Sequence, residues 1–301
     1  MCFFVPKQVL TAMKVHQGKS WGIVCSEDPI GIFDSGIGGL TVVSAIQEVL
    51  PNEVIYYFGD TARCPYGDKT PEQVIQFSIE ICDFLVTKGV KMIVIACNTA
   101  TSAALPILAS RYSIPVIGVV GPGARAAVHA GNGRRIGVIG TAVTIASKAY
   151  EKEIRRLSLD SVVHSLACPK FVPLVEQGKF EGELVEKIVR ESLLPLQSTG
   201  IDTLILGCTH YPLLQSTIQK VVGDDVCLIS SATETAFEVE DKLAKVHMAR
   251  KSQSDVKAEH RYFTTGNSER MRIALREWLH VSCSQLNVEM VSLGLTRHTE
   301  E

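Results

Sequence analysis

The chain has 301 residues, 46% of them hydrophobic and 21% charged, the balance of a soluble globular protein with one large or two ordinary domains. Its formal net charge of -2 excludes the overall basic field that draws nucleic acid. No apolar run approaches the roughly 20 residues needed to span a bilayer, and the opening Met1-Cys2-Phe3-Phe4-Val5 is too short for a signal-peptide core, so a cytoplasmic protein is expected.

Residues 1–28 carry no clear motif and read as an N-terminal extension. From Pro29 the pattern is regular. Residues 30–33 form an expected buried strand, Gly36-Ile37-Gly38-Gly39 opens a helix to Val49, and 54–58 is a second strand. Thr70-Pro71-Glu72-Gln73 has a cap residue, a proline at the first helical position and Gln three after the cap, so a helix runs from there to about Lys88 and stops at Gly89. A strand at 92–96, a helix to about Arg111 and a strand at 116–120 follow. Gly121-Pro122-Gly123 reads as a hinge. The alternation then restarts: strand 135–139, helix 147–157, strand 162–166, helices 172–177 and 182–198, strand 203–206, a helix near Tyr211-Pro212 and strand 226–229. Ser231-Ala232-Thr233-Glu234 reads as a capping box starting a helix to about Ala249. A polar loop at 251–259, a short strand at 262–264, a helix at 268–279, an edge strand at 287–291 and a polar tail close the chain. Apolar strands alternating with helices predict an α/β fold with mostly parallel sheets covered on both faces.

Two echoes stand out. Met92-Ile-Val-Ile-Ala-Cys97-Asn98-Thr99 resembles Thr203-Leu-Ile-Leu-Gly-Cys208-Thr209-His210, 111 residues later, and Ile30-Gly-Ile-Phe-Asp34-Ser35 resembles Ile136-Gly-Val-Ile-Gly140-Thr141, 106 later. Nearly equal offsets predict two related halves. Chemistry in open α/β sheets collects at strand carboxyl ends, so Cys97 and Cys208 are placed to flank one substrate from opposite sides. Each follows a strand and precedes a helix, where backbone N–H groups and the positive helix end activate a thiol. A lone cysteine there is as readily an inert core residue; the pairing favours chemistry.

His210, two residues after Cys208, can hold a proton for that thiol or simply cap a carbonyl. Asp34-Ser35-Gly36 ends a strand and enters a glycine turn that lacks the full dinucleotide fingerprint; it suits backbone N–H groups approaching a carboxylate, with a helix cap as the plainer role. In Arg63-Cys64-Pro65-Tyr66-Gly67, Tyr66 can donate to a substrate carboxylate, against the alternative of a surface turn. Asn98, Thr99, Thr141, Thr144 and Thr209 offer amide and hydroxyl groups at strand ends, though each alone is more often a cap. Nine cysteines, an odd count without a Cys-x-x-Cys pair, argue against a disulfide framework and structural zinc. Those other than Cys97 and Cys208 read as structural, with Cys64 intermediate.

Taken together, Gly31-Ile-Phe-Asp34-Ser35-Gly-Ile-Gly-Gly39-Leu-Thr41, Arg63-Cys-Pro-Tyr66-Gly67, Ala96-Cys97-Asn98-Thr99-Ala100 and Gly207-Cys208-Thr209-His210-Tyr211-Pro212 resemble glutamate racemase over about 29–294. The resemblance implies two pseudo-symmetric, doubly wound domains, 29–121 with 231–294 and 122–230, with the site between them. It implies no cofactor and no metal. Asp34, Ser35, Pro65, Tyr66, Gly67, Asn98, Thr99, Thr209 and His210 would contact glutamate, and Thr141 and Thr144 would line the second-domain side. Glu176, in Val175-Glu176-Gln177-Gly178, resembles the family acid near His210. Some members carry an N-terminal leader for regulation by a cell-wall precursor, which makes such an effector a candidate here, and a homodimer is also compatible.

The expected reaction is interconversion of L- and D-glutamate by two-base proton transfer between Cys97 and Cys208, supplying D-glutamate for peptidoglycan. The rivals are a racemase or isomerase of another diacid, a cysteine hydrolase using Cys208 and His210, and a non-enzymatic diacid-binding module.

Overall fold

The computed structural model describes residues 24–130, 134–251, 259–279 and 287–293. The first run comprises β1 (Ile30–Asp34), α1 (Leu40–Val49), β2 (Ile55–Gly59), α2 (Pro71–Thr87), β3 (Met92–Ile95), α3 (Asn98–Arg111), β4 (Val116–Gly118) and α4 (Val120–His129). Next come β5 (Arg135–Gly140), α5 (Ala142–Ser147), α6 (Ala149–Leu157), β6 (Val162–Ala167), α7 (Phe171–Glu176), α8 (Glu183–Gln197), β7 (Thr203–Gly207), α9 (Gln215–Val222) and β8 (Cys227–Ser230). The chain ends with α10 (Ser231–Lys245), β9 (Arg261–Thr264), α11 (Ser268–Leu279) and β10 (Val288–Met290). Residues 1–23 of the extension, most of the 251–259 loop and the 295–301 tail lie outside the described residues.

The strands form two sheets, ordered β10-β9-β2-β1-β3-β4 and β6-β5-β7-β8, and every pairing is parallel. The series β2-β1-β3-β4 and β6-β5-β7-β8 are the same order twice. The sequence echoes fall on equivalent central strands, β1 with β5 and β3 with β7. In each sheet the order reverses between those two strands, which opens a crevice at their carboxyl ends.

Side chains alternate between the two faces. In β3, Met92 and Val94 enter one core and Ile93, Ile95 and the following Cys97 the other. In β7, Leu204, Leu206 and Cys208 enter one core and Ile205 the other. Both thiols thus continue the inward parity of their strands. The cores change at one peptide: Val119 packs with the first sheet and Val120 with the second.

Local chemistry sets several boundaries. Thr70 and Gln73 make both bonds of the capping box that starts α2, worth about 1 kcal/mol. Three expectations are corrected. Gly121-Pro122-Gly123 is the first turn of α4 rather than a loop; Pro122 lies where a helix leaves N–H groups unpaired, so it fits. The helix expected at 147–157 is α6, starting at Ala149, and an unexpected short helix, α5, precedes it, the two divided at Lys148 in the left-handed region (φ 57°). The long helix from residue 231 is capped by Ser230, whose hydroxyl accepts from the Ala232 N–H, and it ends at Lys245, short of Ala249.

Candidate active site

One small cavity of about 10 Å³, room for roughly one water, lies where the strand ends of the two sheets meet. It is lined by residues from both: Ser35, Pro65, Tyr66, Gly67, Cys97, Asn98 and Thr99 from the first, Thr141, Val172, Cys208, Thr209 and His210 from the second. Asp34, Thr144 and Glu176 stand behind that lining. The walls approach closely enough to require glycine at two points. A Cβ on Gly38 would lie 2.6 Å from Thr209 Oγ1, and one on Gly67 would lie 2.9 Å from Thr141 Cβ.

Cys97 is the cap of α3. Its sulfur accepts from the Ala100 N–H at 3.4 Å and is almost fully buried. Burial, and then the negative Asp34 nearby, push its thiol up to about 12, so it rests protonated. Asp34 is wholly buried, and burial raises its carboxyl above the ordinary range against the lowering pull of His210. Its Oδ2 accepts from the Gly36 N–H at 3.0 Å and its Oδ1 from the Thr209 hydroxyl at 3.3 Å. The glycine-turn N–H expected to face a ligand carboxylate therefore serves Asp34, and Asp34 reaches toward both walls. Tyr57, under the turn, donates to the Gly36 carbonyl at 2.8 Å.

Cys208 differs. It precedes a 3-10 turn, Tyr211–Leu214, with α9 starting only at Gln215, so only Cys97 sits at a helix N-terminus, and even there burial and Asp34 outweigh the lowering pull of the Ala100 N–H, against the activation expected. Its neighbour is His210, whose Nδ1 lies 3.7 Å from the sulfur and whose Nε2 lies 2.6 Å from Glu176 Oε1. A carboxylate at Nε2 keeps a proton there, leaving Nδ1 to exchange one with the thiol. Burial disfavours the charged imidazole, but the Cys208 sulfur and the Glu176 carboxylate outweigh it and hold His210 up at about 10. Burial likewise works to raise the Glu176 carboxyl, and His210 and Arg270 together bring it below the ordinary range. Arg270 Nη2 bonds Glu176 Oε2 and also its carbonyl at 3.1 Å.

The polar lining is only partly self-satisfied. Thr99 and Thr141 hydroxyls lie 2.9 Å apart across the two walls, with Thr144 3.0 Å from Thr141. Asn98 accepts from Tyr150 at 2.7 Å, while its buried Nδ2 has no partner and is free to donate to a ligand. The Tyr66 hydroxyl is not available as expected: it donates to the buried Asp60, which also accepts from Arg63 at 2.7 Å. Tyr66 lines the cavity without offering that proton. Cys64 packs behind Gly36, and burial pushes its thiol far above the ordinary range. Val172 was not anticipated; in a run of apolar residues nothing marks which one faces a cavity.

With this geometry in place, the relatives are informative. The Asp/Glu/Hydantoin racemase family model matches residues 38–238. A glutamate racemase of Carnobacterium sp. is 51% identical over 265 residues, 88% of this chain and 98% of its own. The chain belongs to the glutamate racemase family. Among solved structures, a glutamate racemase of Bacillus anthracis superposes with a TM-score of 0.82 at 44% identity, covering 89% of this chain and 98% of that one. Another, from Francisella tularensis and in complex with D-glutamate, also gives 0.82, at 35% identity and the same coverage. Family and fold agree with two doubly wound halves, and the racemase is an isomerase.

Proposed function

We propose that glutamate racemisation in this protein is carried by Cys97 and Cys208 as the two bases, one on each face of the α-carbon. The observation that carries this reading is that thiols at equivalent ends of β3 and β7 line one cavity from opposite walls. One sulfur, as thiolate, removes the α-proton, and the other, as thiol, returns one to the opposite face. The planar intermediate carries extra negative charge on the α-carboxylate. Asn98 Nδ2 and the hydroxyls of Ser35, Thr99 and Thr141 are the donors that meet it. His210 supplies or stores the proton for Cys208, with Glu176 fixing its tautomer.

A cavity of about 10 Å³ is too small for glutamate, so the walls part to admit it and close to exclude water. The two sheets suggest the bodies that move: 29–121 with 231–294, and 122–230. The Cys208–His210–Glu176 chain also has the order of a cysteine-hydrolase triad, but that chemistry leaves Cys97 without a part. The product would supply peptidoglycan synthesis in the cytoplasm; among the described residues no helix is long and apolar enough to cross a membrane. A cell-wall precursor acting through the N-terminal extension, and a homodimer, complete the proposal. The test is optical rotation on purified protein with D-glutamate, L-glutamate and D-aspartate. Turnover of both glutamate enantiomers and not of aspartate is expected; faster aspartate turnover would overturn the substrate assignment.

A further inference from the structure

Arg270 lies 94 residues from Glu176 in sequence yet binds it twice, at Oε2 and at the carbonyl. The two residues sit on different bodies. Arg270 is in the first turn of α11, whose Met271, Ala274 and Leu275 are buried in the core of the first sheet. Glu176 is the last residue of α7, whose Phe171, Val172, Leu174 and Val175 are buried in the core of the second. The two carboxylate oxygens are divided: Oε2 takes Arg270 and Oε1 takes His210, whose other nitrogen faces Cys208.

We propose that Arg270 is a positioning residue for the proton transfer at Cys208: reaching from the first sheet's helix layer, it locks the Glu176 carboxylate so that His210 is aimed at the Cys208 sulfur when the two walls are together. The inference rests on the two-thiol reading. A carboxylate held at one oxygen only can rotate about its side-chain bonds, and the imidazole it orients then loses its alignment with the sulfur. A guanidinium is suited to the task because it can hold an oxygen and a nearby carbonyl in fixed directions. The contact spans the two bodies, so it is made on closure and couples closure to assembly of the Cys208 acid–base chain. Arg270 is half exposed and outside the cavity lining, so it touches neither substrate nor thiol.

The test uses the whole protein with Arg270→Gln and Arg270→Lys, both on an exposed face where folding should survive, as melting curves will verify. L- and D-glutamate have equal free energies, so kcat/KM falls by one factor in both directions, about tenfold for Gln as expected for loss of a charged hydrogen bond. The discriminating readout is the α-deuterium isotope effect. Slowing only the Cys208 step makes it more rate-limiting. The isotope effect then rises for the enantiomer whose proton goes to Cys208 and falls for the other. Arg270→Lys, keeping charge but not the fork, should fall between. Wild-type rates in Arg270→Gln, or isotope effects that move together for both enantiomers, would overturn the proposal while leaving the two-thiol reading standing. A wild-type protein that racemises nothing would overturn the underlying reading and this inference with it.

Discussion

The two thiols occupy matching places and very different surroundings. Both end a central strand of a sheet with the same order, and both continue its inward parity. Cys97 caps a true α-helix, has no imidazole bonded to it and has the Asp34 carboxylate nearby, so its resting form is the thiol. Cys208 precedes a 3-10 turn and ends a relay of His210, Glu176 and Arg270. A duplicated frame sets where the sulfurs stand. What each can do is set by residues that the duplication does not repeat: Asn98-Thr99 follows one thiol, Thr209-His210 the other.

The largest break in this comparison is removal of either sulfur. Cys97→Ala and Cys208→Ala should each lower racemisation in both directions by on the order of 10²-fold to 10⁴-fold, the range for a positioned acid or base. Polarimetry that finds either variant near wild type would show that the two walls are not both needed.

His210→Asn comes next. It removes the proton store of one wall only, and about 10²-fold in kcat is expected, with isotope effects shifting in opposite senses for the two enantiomers. Asp34→Asn sharpens the contrast. Its carboxylate bonds Gly36 on its own wall and Thr209 on the other, so its loss should move both isotope effects with less asymmetry than His210→Asn. An asymmetry as large as that of His210→Asn would assign Asp34 to the Cys97 wall alone.

A smaller effect separates the walls through pH. His210 is raised in the folded protein from its ordinary 6.5 to about 10, so the folded state holds this proton more tightly than the unfolded chain does. That stabilisation is fully present below about 6.5 and is lost as pH climbs through the interval to about 10. Melting temperatures measured across this window should fall in the wild type and fall less in His210→Asn; parallel curves would contradict the charged imidazole.

The smallest effect belongs to the first wall. Tyr57→Phe leaves the Gly36 carbonyl without its donor and should cost about 1 kcal/mol of stability, visible as a lower urea midpoint, together with a modestly higher KM. An unchanged midpoint would mean that Asp34 alone holds the glycine turn.

Much of this frame was legible in the chain. Strand parity and strand-end position are local properties, so the echoes around Asp34, Cys97, Thr141 and Cys208 located four strand ends that the fold brings together. The Thr70–Gln73 box was readable for the same reason: its bonds lie within four residues. What was not legible depends on contacts distant in sequence. Nothing near Arg270 announces Glu176, nothing in Phe171-Val172 says which side chain faces a cavity, and the Tyr66 hydroxyl looked free because its acceptor Asp60 is an ordinary acid until the fold buries it. Gly121-Pro122-Gly123 lies next to the peptide where the cores change but did not reveal that the chain is helical there, because proline and glycine mark a loop and a helix's first turn equally well.

The central claim is that each face of the α-carbon has its own base. It is tested most directly by incubating the protein with D-glutamate in D₂O, stopping after a few per cent of conversion, and locating deuterium in each enantiomer by NMR after chiral separation. With one thiol on each wall, the newly formed L-glutamate carries deuterium at the α-carbon while the recovered D-glutamate still carries hydrogen. Deuterium appearing at equal early rates in both enantiomers would mean that one base serves both faces, and would contradict the account.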